Sequence, residues 1–390
     1  PTAMGSGGYH GSIGLLPEWD VLYLTSTAGG VWAALQRNAY SAGRYGIHFR
    51  DETTNRPLRF SQYPNLVADG SSGTPGTGSS SINTYTPTAS GTTPSTYNST
   101  HCPALGYFAY LLTGHYYHLE TAQFQATLHY LKNPDAYRQF SAGILRSDVG
   151  SNTTRGAAWS LRTLAQALAI TPDGDVLQTE LKNSFESNVN YLHALYVAQP
   201  NNPFGWVTPY IDYTGSSDTV YFGATWQQDF YTAAIGMAAT LGLPLGATAK
   251  QRLGEFFAWK AKSVIGRLGT TATADFLYRD AAPYTIAIAP TNTPDFNNGT
   301  GPWYANWGAC YDATYASASP GTRTDGPLRG GNLPDPTSYW GNLQPALAYA
   351  VDLAVPGARD AYNRMSSTSN WPELTAGFDS SPTWGVRPRT

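Results

Sequence analysis

The sequence predicts an all-α protein, an incomplete α/α toroid of repeated helical hairpins with long loops gathered on one face. Three observations lead there. Apolar stretches of helix length recur along the chain. After a short turn, each is followed by a stretch that keeps one apolar stripe among Glu, Lys and Gln. Long loops then lead to the next pair. The spacing is too irregular for a short-period solenoid, and a helical bundle with long insertions meets the same periodicity.

Taken in order, the first members are "LPEWDVLYLTST", "HCPALGYFAYLLTG", "RGAAWSLRTLAQALAI", "WQQDFYTAAIGMAATLG" and "YWGNLQPALAYAVDLA". They are apolar on most sides, the mark of a buried helix, and are expected to form the inner ring. The second members are "GVWAALQRNAY", "YYHLETAQFQATLHYLKN", "DVLQTELKNSFESNVNYLHALYVAQ", "ATAKQRLGEFFAWKAKSVIGRL" and "GARDAYNRMSS". They are expected outside, and Lys132, Lys182, Lys250, Lys260 and Lys262 all fall within them. Residues 68–100 are nearly all Gly, Ser, Thr and Pro and read as a low-complexity surface loop. Residues 269–338 read as a long loop covering a cleft, because an aromatic-rich loop of that length has a use. The whole of 1–390 reads as one domain, since the same helical grammar continues on both sides of the low-complexity stretch.

Composition narrows the function. Charged residues are 13%, about half the usual share, and the chain holds 27 Tyr and 11 Trp. A net charge of −3 with no basic run argues against nucleic acid. No apolar segment is long enough to cross a membrane. The stretch from Pro1 carries no charged-then-apolar leader. Together with candidate glycosylation triplets at Asn98, Asn152 and Asn298, this suits a monomeric secreted or periplasmic protein that handles a polymer. Cys102 and Cys310 read either as two buried thiols or as a disulfide.

In a ring of hairpins the long loops and the first turns of the inner helices share one face, where sites sit. Those turns carry Glu18, Trp19 and Asp20; His101; Arg155 and Trp159; Trp226, Gln227, Gln228, Asp229 and Tyr231; and Tyr339, Trp340 and Asn342. A single Trp near a helix start is more often core than site, but five helices share the habit. The loop 38–60 adds Arg44, Tyr45, His48, Arg50, Asp51 and Arg56. It reads either as a short strand with His48 and Arg50 on one side or as a turn with a local Arg50–Asp51 ion pair. Arg162, deeper on the helix of Arg155, reads as the partner of a buried acid. The 269–338 segment contributes Trp303 and Tyr304, with Tyr278, Arg279, Tyr284, Arg323 and Arg329. Aromatic platforms stack on sugars, and arginine reads a carboxylate bidentately. No metal or cofactor motif is present, and the histidines are too scattered for a metal site.

The blocks "IGLLPEWDVLYL", "RYGIHFRDETTNRPLRF", "HCPALGYFAYLLTGHYYHLE", "RGAAWSLRTLAQALAITPD" and "WQQDFYTAAIG" resemble helical-toroid polysaccharide lyases of the alginate and glucuronan lyase kind. The resemblance implies β-elimination on a uronic-acid polymer. It implies catalytic roles for His101 at an inner-helix start and Arg155 on the next one, with Tyr45 or Tyr304 as proton carrier. Ser99 and Thr100 precede His101 where the alginate lyases carry Asn. Arg44, His48, Arg50, Trp159, Trp226, Gln227, Asp229, Trp303 and Trp340 are then the expected substrate contacts. The partner is an anionic polysaccharide. Two other readings stay open: a glycoside hydrolase using Asp229 with a second carboxylate from Glu18, Asp20 or Asp148, and a non-catalytic glycan-binding protein.

Overall fold

In the computed structural model, the described residues are 13–66, 68–69, 82–83, 100, 103–131, 138–145, 154–199, 201–208, 213–296, 301–316, 323–329 and 339–389. Among them are twelve α-helices: α1 (Glu18–Thr25), α2 (Val31–Tyr40), α3 (Tyr107–Thr113), α4 (Tyr116–Leu131), α5 (Thr154–Ile170), α6 (Val176–Leu192), α7 (Thr225–Thr240), α8 (Ala247–Ile265), α9 (Trp307–Thr314), α10 (Tyr339–Asp352), α11 (Ala358–Ser366) and α12 (Trp371–Ser380). Two short two-stranded sheets complete them: a parallel pair, β1 (Ala68–Asp69) with β2 (Ile82–Asn83), and an antiparallel pair, β3 (Tyr221–Ala224) with β4 (Thr285–Ala289). The protein is mainly α-helical. The chain packs as two compact units, one of residues 1–191 with 238–250 and one of 192–237 with 251–390.

The expected alternation of enclosed and amphipathic helices holds for α5/α6, α7/α8 and α10/α11. α5 is buried at every position except Ala169. α6 buries Leu177, Leu181, Phe185, Val189 and Leu192, a stripe at spacings of three and four. The alternation fails for the first two pairs. Only Asp20 of α1 is buried, and Leu111 and Leu112 of α3 are exposed, whereas α4, expected outside, is buried from His118 to Leu131. The polar residues that gave α4 its amphipathic reading are satisfied internally. Gln125 Oε1 accepts from Leu105 N at 2.8 Å, Gln123 Nε2 donates to Thr171 Oγ1 at 3.2 Å, and Glu120 holds Arg50. Lys260 of α8 departs from expectation for the same reason: it is fully buried and donates to Gly205 O at 3.0 Å and Ser263 Oγ at 2.9 Å.

In the first unit α4 and α5 pack antiparallel, since His129 meets Ser160 while Gln123, earlier in α4, meets Thr171 beyond the far end of α5. The chain before α1 is fixed to α5 by Arg162 Nη1 on Gly14 O and Gln166 Nε2 on Leu15 O. Gly143 (φ +60°) allows residues 138–145 to press on α6; a Cβ there would lie 2.6 Å from Ser184 Oγ. Its carbonyl accepts from Asn188 Nδ2 at 2.9 Å.

In the second unit α7 and α10 run parallel and side by side. Trp226 and Tyr339, at their starts, both lie against the Tyr284 ring, at 5.9 and 5.5 Å between centroids. Ten residues on in each helix, Gly236 meets Tyr349 so closely that a Cβ on the glycine would stand 2.5 Å from Tyr349 Cβ. α8 runs antiparallel to α7: Phe257 also abuts Gly236, while Arg267, after the end of α8, reaches Asp229 near the start of α7. The described parts of 269–338 are not a plain covering loop. They hold β4 and α9, which bury Ile286, Ala287, Ile288, Cys310 and Tyr311. Their arginines bind the segment to itself: Arg329 pairs with Asp280 at 2.5 Å, Arg279 donates to Pro327 O and Thr324 O, and Arg323 donates to Ala272 O and Asp275 O. Cys310 is a free buried thiol whose pKa burial pushes up.

Candidate functional site

The residues singled out in the sequence separate into two sets, one in each unit. His101 lies outside the described residues, as do Cys102, Asp148 and the triplet asparagines Asn98, Asn152 and Asn298.

In the first unit, Arg155 is buried in the first turn of α5. Trp159, one turn on, is 0% exposed and carries the Arg162 guanidinium 4.7 Å from its ring centre. It is packed in the interior of the first unit. Arg162 donates to the Gly14 carbonyl and stacks on this ring.

Tyr45 and His48 are half-buried and Arg44 is exposed. The 45–51 stretch forms no strand; Tyr45 and Arg50 each sit in an isolated bridge, that of Arg50 with Pro57. Arg50 does not pair with Asp51. Its two terminal nitrogens each bond a Glu120 oxygen at 2.5 Å, and it lies 4.8 Å over Phe124. Asp51 instead takes the Tyr63 hydroxyl and the amides of Thr53 and Thr54, which hold its carboxyl low, at about 2. The bidentate fork expected for a substrate carboxylate is thus already occupied by one of the protein's own. His48 packs its edge on Phe124 at 5.0 Å; burial and then Arg50 push its pKa down.

One histidine that the sequence did not single out is His129. It is buried near the end of α4, with Nδ1 2.9 Å from Ser160 Oγ. Ser160 gives its one proton to Gly156 O at 2.9 Å. The His129–Ser160 hydrogen bond links the end of α4 to the second turn of α5. Ser160 and Arg155 both lie in the first two turns of α5. The sequence signal was faint: a histidine inside a stretch with a surface composition, paired to a serine 31 residues away.

Asp20 is buried, and among the described residues no cation or side-chain donor bonds it; burial pushes its carboxyl up to about 8. Its position follows from Leu16, Trp19 and Tyr23, which pack against Leu35, Ala39, Phe108 and Ala109 and carry α1 inward at that turn.

In the second unit, Trp226 is buried against Phe230 and Tyr284. Gln227 donates to the Tyr213 hydroxyl at 3.2 Å, while Gln228 bonds both backbone groups of Val207 and is structural. Thr225 holds the 283–284 backbone through its amide, 3.3 Å from Tyr284 O, and its hydroxyl on Pro283 O, and so fixes Tyr284 over the start of α7. The result is a surface group of rings: Tyr213 and Tyr284, 36% and 43% exposed, meet edge to face at 5.2 Å, with Tyr339 and Trp226 behind them.

Asp229 is not a surface carboxylate. It is 1% exposed, its Oδ1 takes Arg267 Nη2, and Arg267 and Lys260 around it are fully buried. Burial pushes the Asp229 pKa up while Arg267 and then Lys260 oppose it; burial pushes Lys260 well down. Trp340 is core, donating from Nε1 to Arg329 O at 3.0 Å. Trp303 is half-buried, 5.1 Å from Phe296, and Tyr304 beside it has its pKa pushed up by burial and then by Cys310.

Among the described residues no group of three or more His, Cys, Asp or Glu could hold a metal ion, and no helix is long and apolar enough to cross a membrane. No protein-family model matches the chain, and no curated protein or solved structure matches it either.

Proposed function

We propose that the chain is a polysaccharide lyase that cleaves a uronic-acid-containing glycan by β-elimination, on an α/α toroid, in a secreted or periplasmic setting. The observation that carries this reading is His129, a buried histidine hydrogen-bonded to Ser160 on the helix that also bears Arg155. Elimination needs such a set. A cation neutralises the C5 carboxylate and acidifies the C5 proton, a neutral base removes that proton, C4=C5 forms, and the C4–O4 bond breaks with a proton delivered to O4. Arg155 takes the carboxylate, joined by His101. His129 is the base, and Tyr45, half-buried in the same unit, delivers the proton to O4. The parallel, enclosed α7 and α10 support the toroid, whose inner helices start on one face.

The test is absorbance in the ultraviolet band of unsaturated uronates over alginate, polyglucuronate and related polymers. The reading expects a rise that disappears in His129→Ala and Arg155→Ala. One observation favours a second reading: Asp20 holds its proton to about pH 8, as the acid of a glycoside hydrolase must near neutrality. New reducing ends without absorbance, lost in Asp20→Asn, would select it. Asp229 is the weaker hydrolase candidate, being engaged by Arg267.

A further inference from the structure

Asn342, in the first turn of α10, is 1% exposed, and among the described residues neither its Oδ1 nor its Nδ2 has a hydrogen-bond partner. Asp229 Oδ2 is also buried without one. An unmet buried polar group costs about 1–3 kcal/mol, so three atoms left this way need a reason.

Their placement supplies it. Asp229 stands seven residues before Gly236 on α7, and Asn342 stands seven before Tyr349 on α10. Seven residues are close to two helical turns and return to the same face. Gly236 and Tyr349 are in contact and the helices are parallel, so Asp229 and Asn342 face the same seam at the same level. One turn above them stand Trp226 and Tyr339, with Tyr284 between and Tyr213 at the rim. Arg267 on Oδ1 fixes the carboxylate, so that Oδ2 is the oxygen left over.

We propose that this seam is a sugar-binding subsite in which neighbouring hydroxyls of one pyranose ring bond Asp229 Oδ2 and the Asn342 amide, while Tyr284 and Tyr339 stack on the ring face. Two adjacent hydroxyls match the open atoms. One gives its proton to Asp229 Oδ2 and accepts from Asn342 Nδ2, and the next gives its proton to Asn342 Oδ1. A sugar carboxylate is rejected, because Oδ2 repels it. The subsite therefore reads the hydroxyl edge of a residue, neutral or uronic. Entry requires Tyr284 and Tyr339 to turn aside, and both are at least partly exposed. The proposal rests on the reading of the chain as glycan-acting.

The test is calorimetric titration of wild type, Asn342→Leu and Asn342→Ser with glucuronate tetrasaccharide and with cellotetraose. Wild type is expected to bind both. Asn342→Leu, which replaces an unmet amide by an apolar group of similar size, should lose at least about tenfold in affinity for both, with its melting temperature unchanged or raised. If Asn342→Leu does not fold, Asn342→Ser carries the same expectation. Wild-type affinity in the folded variants, or no binding by wild type, overturns the subsite. Binding by wild type without any unsaturated product leaves the subsite standing and removes the lyase reading.

Discussion

The start of α5 and the start of α7 look alike as sequence: an aromatic, polar residues and a charge at the mouth of an apolar helix. Their physical outcomes are opposite. Around α7, Asp229 has Arg267 and Lys260 buried with it, and the charges hold one another inside the second unit. Around α5, the buried polar link is a hydrogen bond from side chain to side chain, His129 to Ser160. The contrast is between an ion pair that anchors a helix start and a hydrogen-bonded histidine tied to the proposed catalytic helix, that of Arg155.

The largest effect expected is at the architectural end. Asp229→Ala leaves Arg267 buried without its partner and should cost about 3–5 kcal/mol of stability, read by denaturant unfolding. A loss under about 1 kcal/mol would mean that the pair is not what holds this helix end. Next comes the chemical end. His129→Ala should lower kcat on the best uronate polymer by about 10²–10⁴-fold with little change in melting temperature. Ser160→Ala should do less and should move the acidic limb of the pH–rate profile, because the ring loses its hydrogen bond to Ser160.

A further effect, of comparable total size, is pH-dependent. Folding raises the Asp20 pKa from 3.8 to about 8, so the folded chain binds one more proton between those values. The associated stability is fully present below about pH 4 and is lost as pH rises toward 8, by roughly 1.4 kcal/mol per unit. Asp20→Asn should flatten that slope, and an unchanged melting profile between about pH 5 and pH 9 would refute the assignment. The smallest is Arg50→Ala, which removes a partly exposed ion pair with Glu120 and should cost at most about 1 kcal/mol. A large loss of activity there would return Arg50 to the substrate.

What was legible in the sequence follows the same division. The enclosed helices α5, α7 and α10 could be read because burial on all sides leaves an all-round apolar pattern. α4 could not, because Glu120, Gln123, Gln125 and His129 look like a solvated face until their partners Arg50, Thr171, Leu105 and Ser160 are known. Those partners are distant in sequence, so no local pattern encodes them. α1 misled in the other direction: its Trp and Tyr pack on a small cluster with α2 and α3, and only Asp20 is enclosed. Within the site, Arg155 and the aromatic starts of α7 and α10 were visible as residue types out of place. Trp159 and Trp340 were visible as aromatics at helix starts; their burial was not, since a tryptophan there is equally a core residue. Asn342 was visible at its helix start; its unmet amide was not, because an unmet bond has no sequence signature.

The central claim is elimination chemistry centred on His129, and the direct test is the ultraviolet assay with wild type and His129→Ala side by side on alginate and polyglucuronate. The account predicts absorbance from unsaturated uronate ends with wild type and a rise slower by about a hundredfold or more with the variant. Equal rates in the two, or reducing ends appearing with no absorbance, would contradict it.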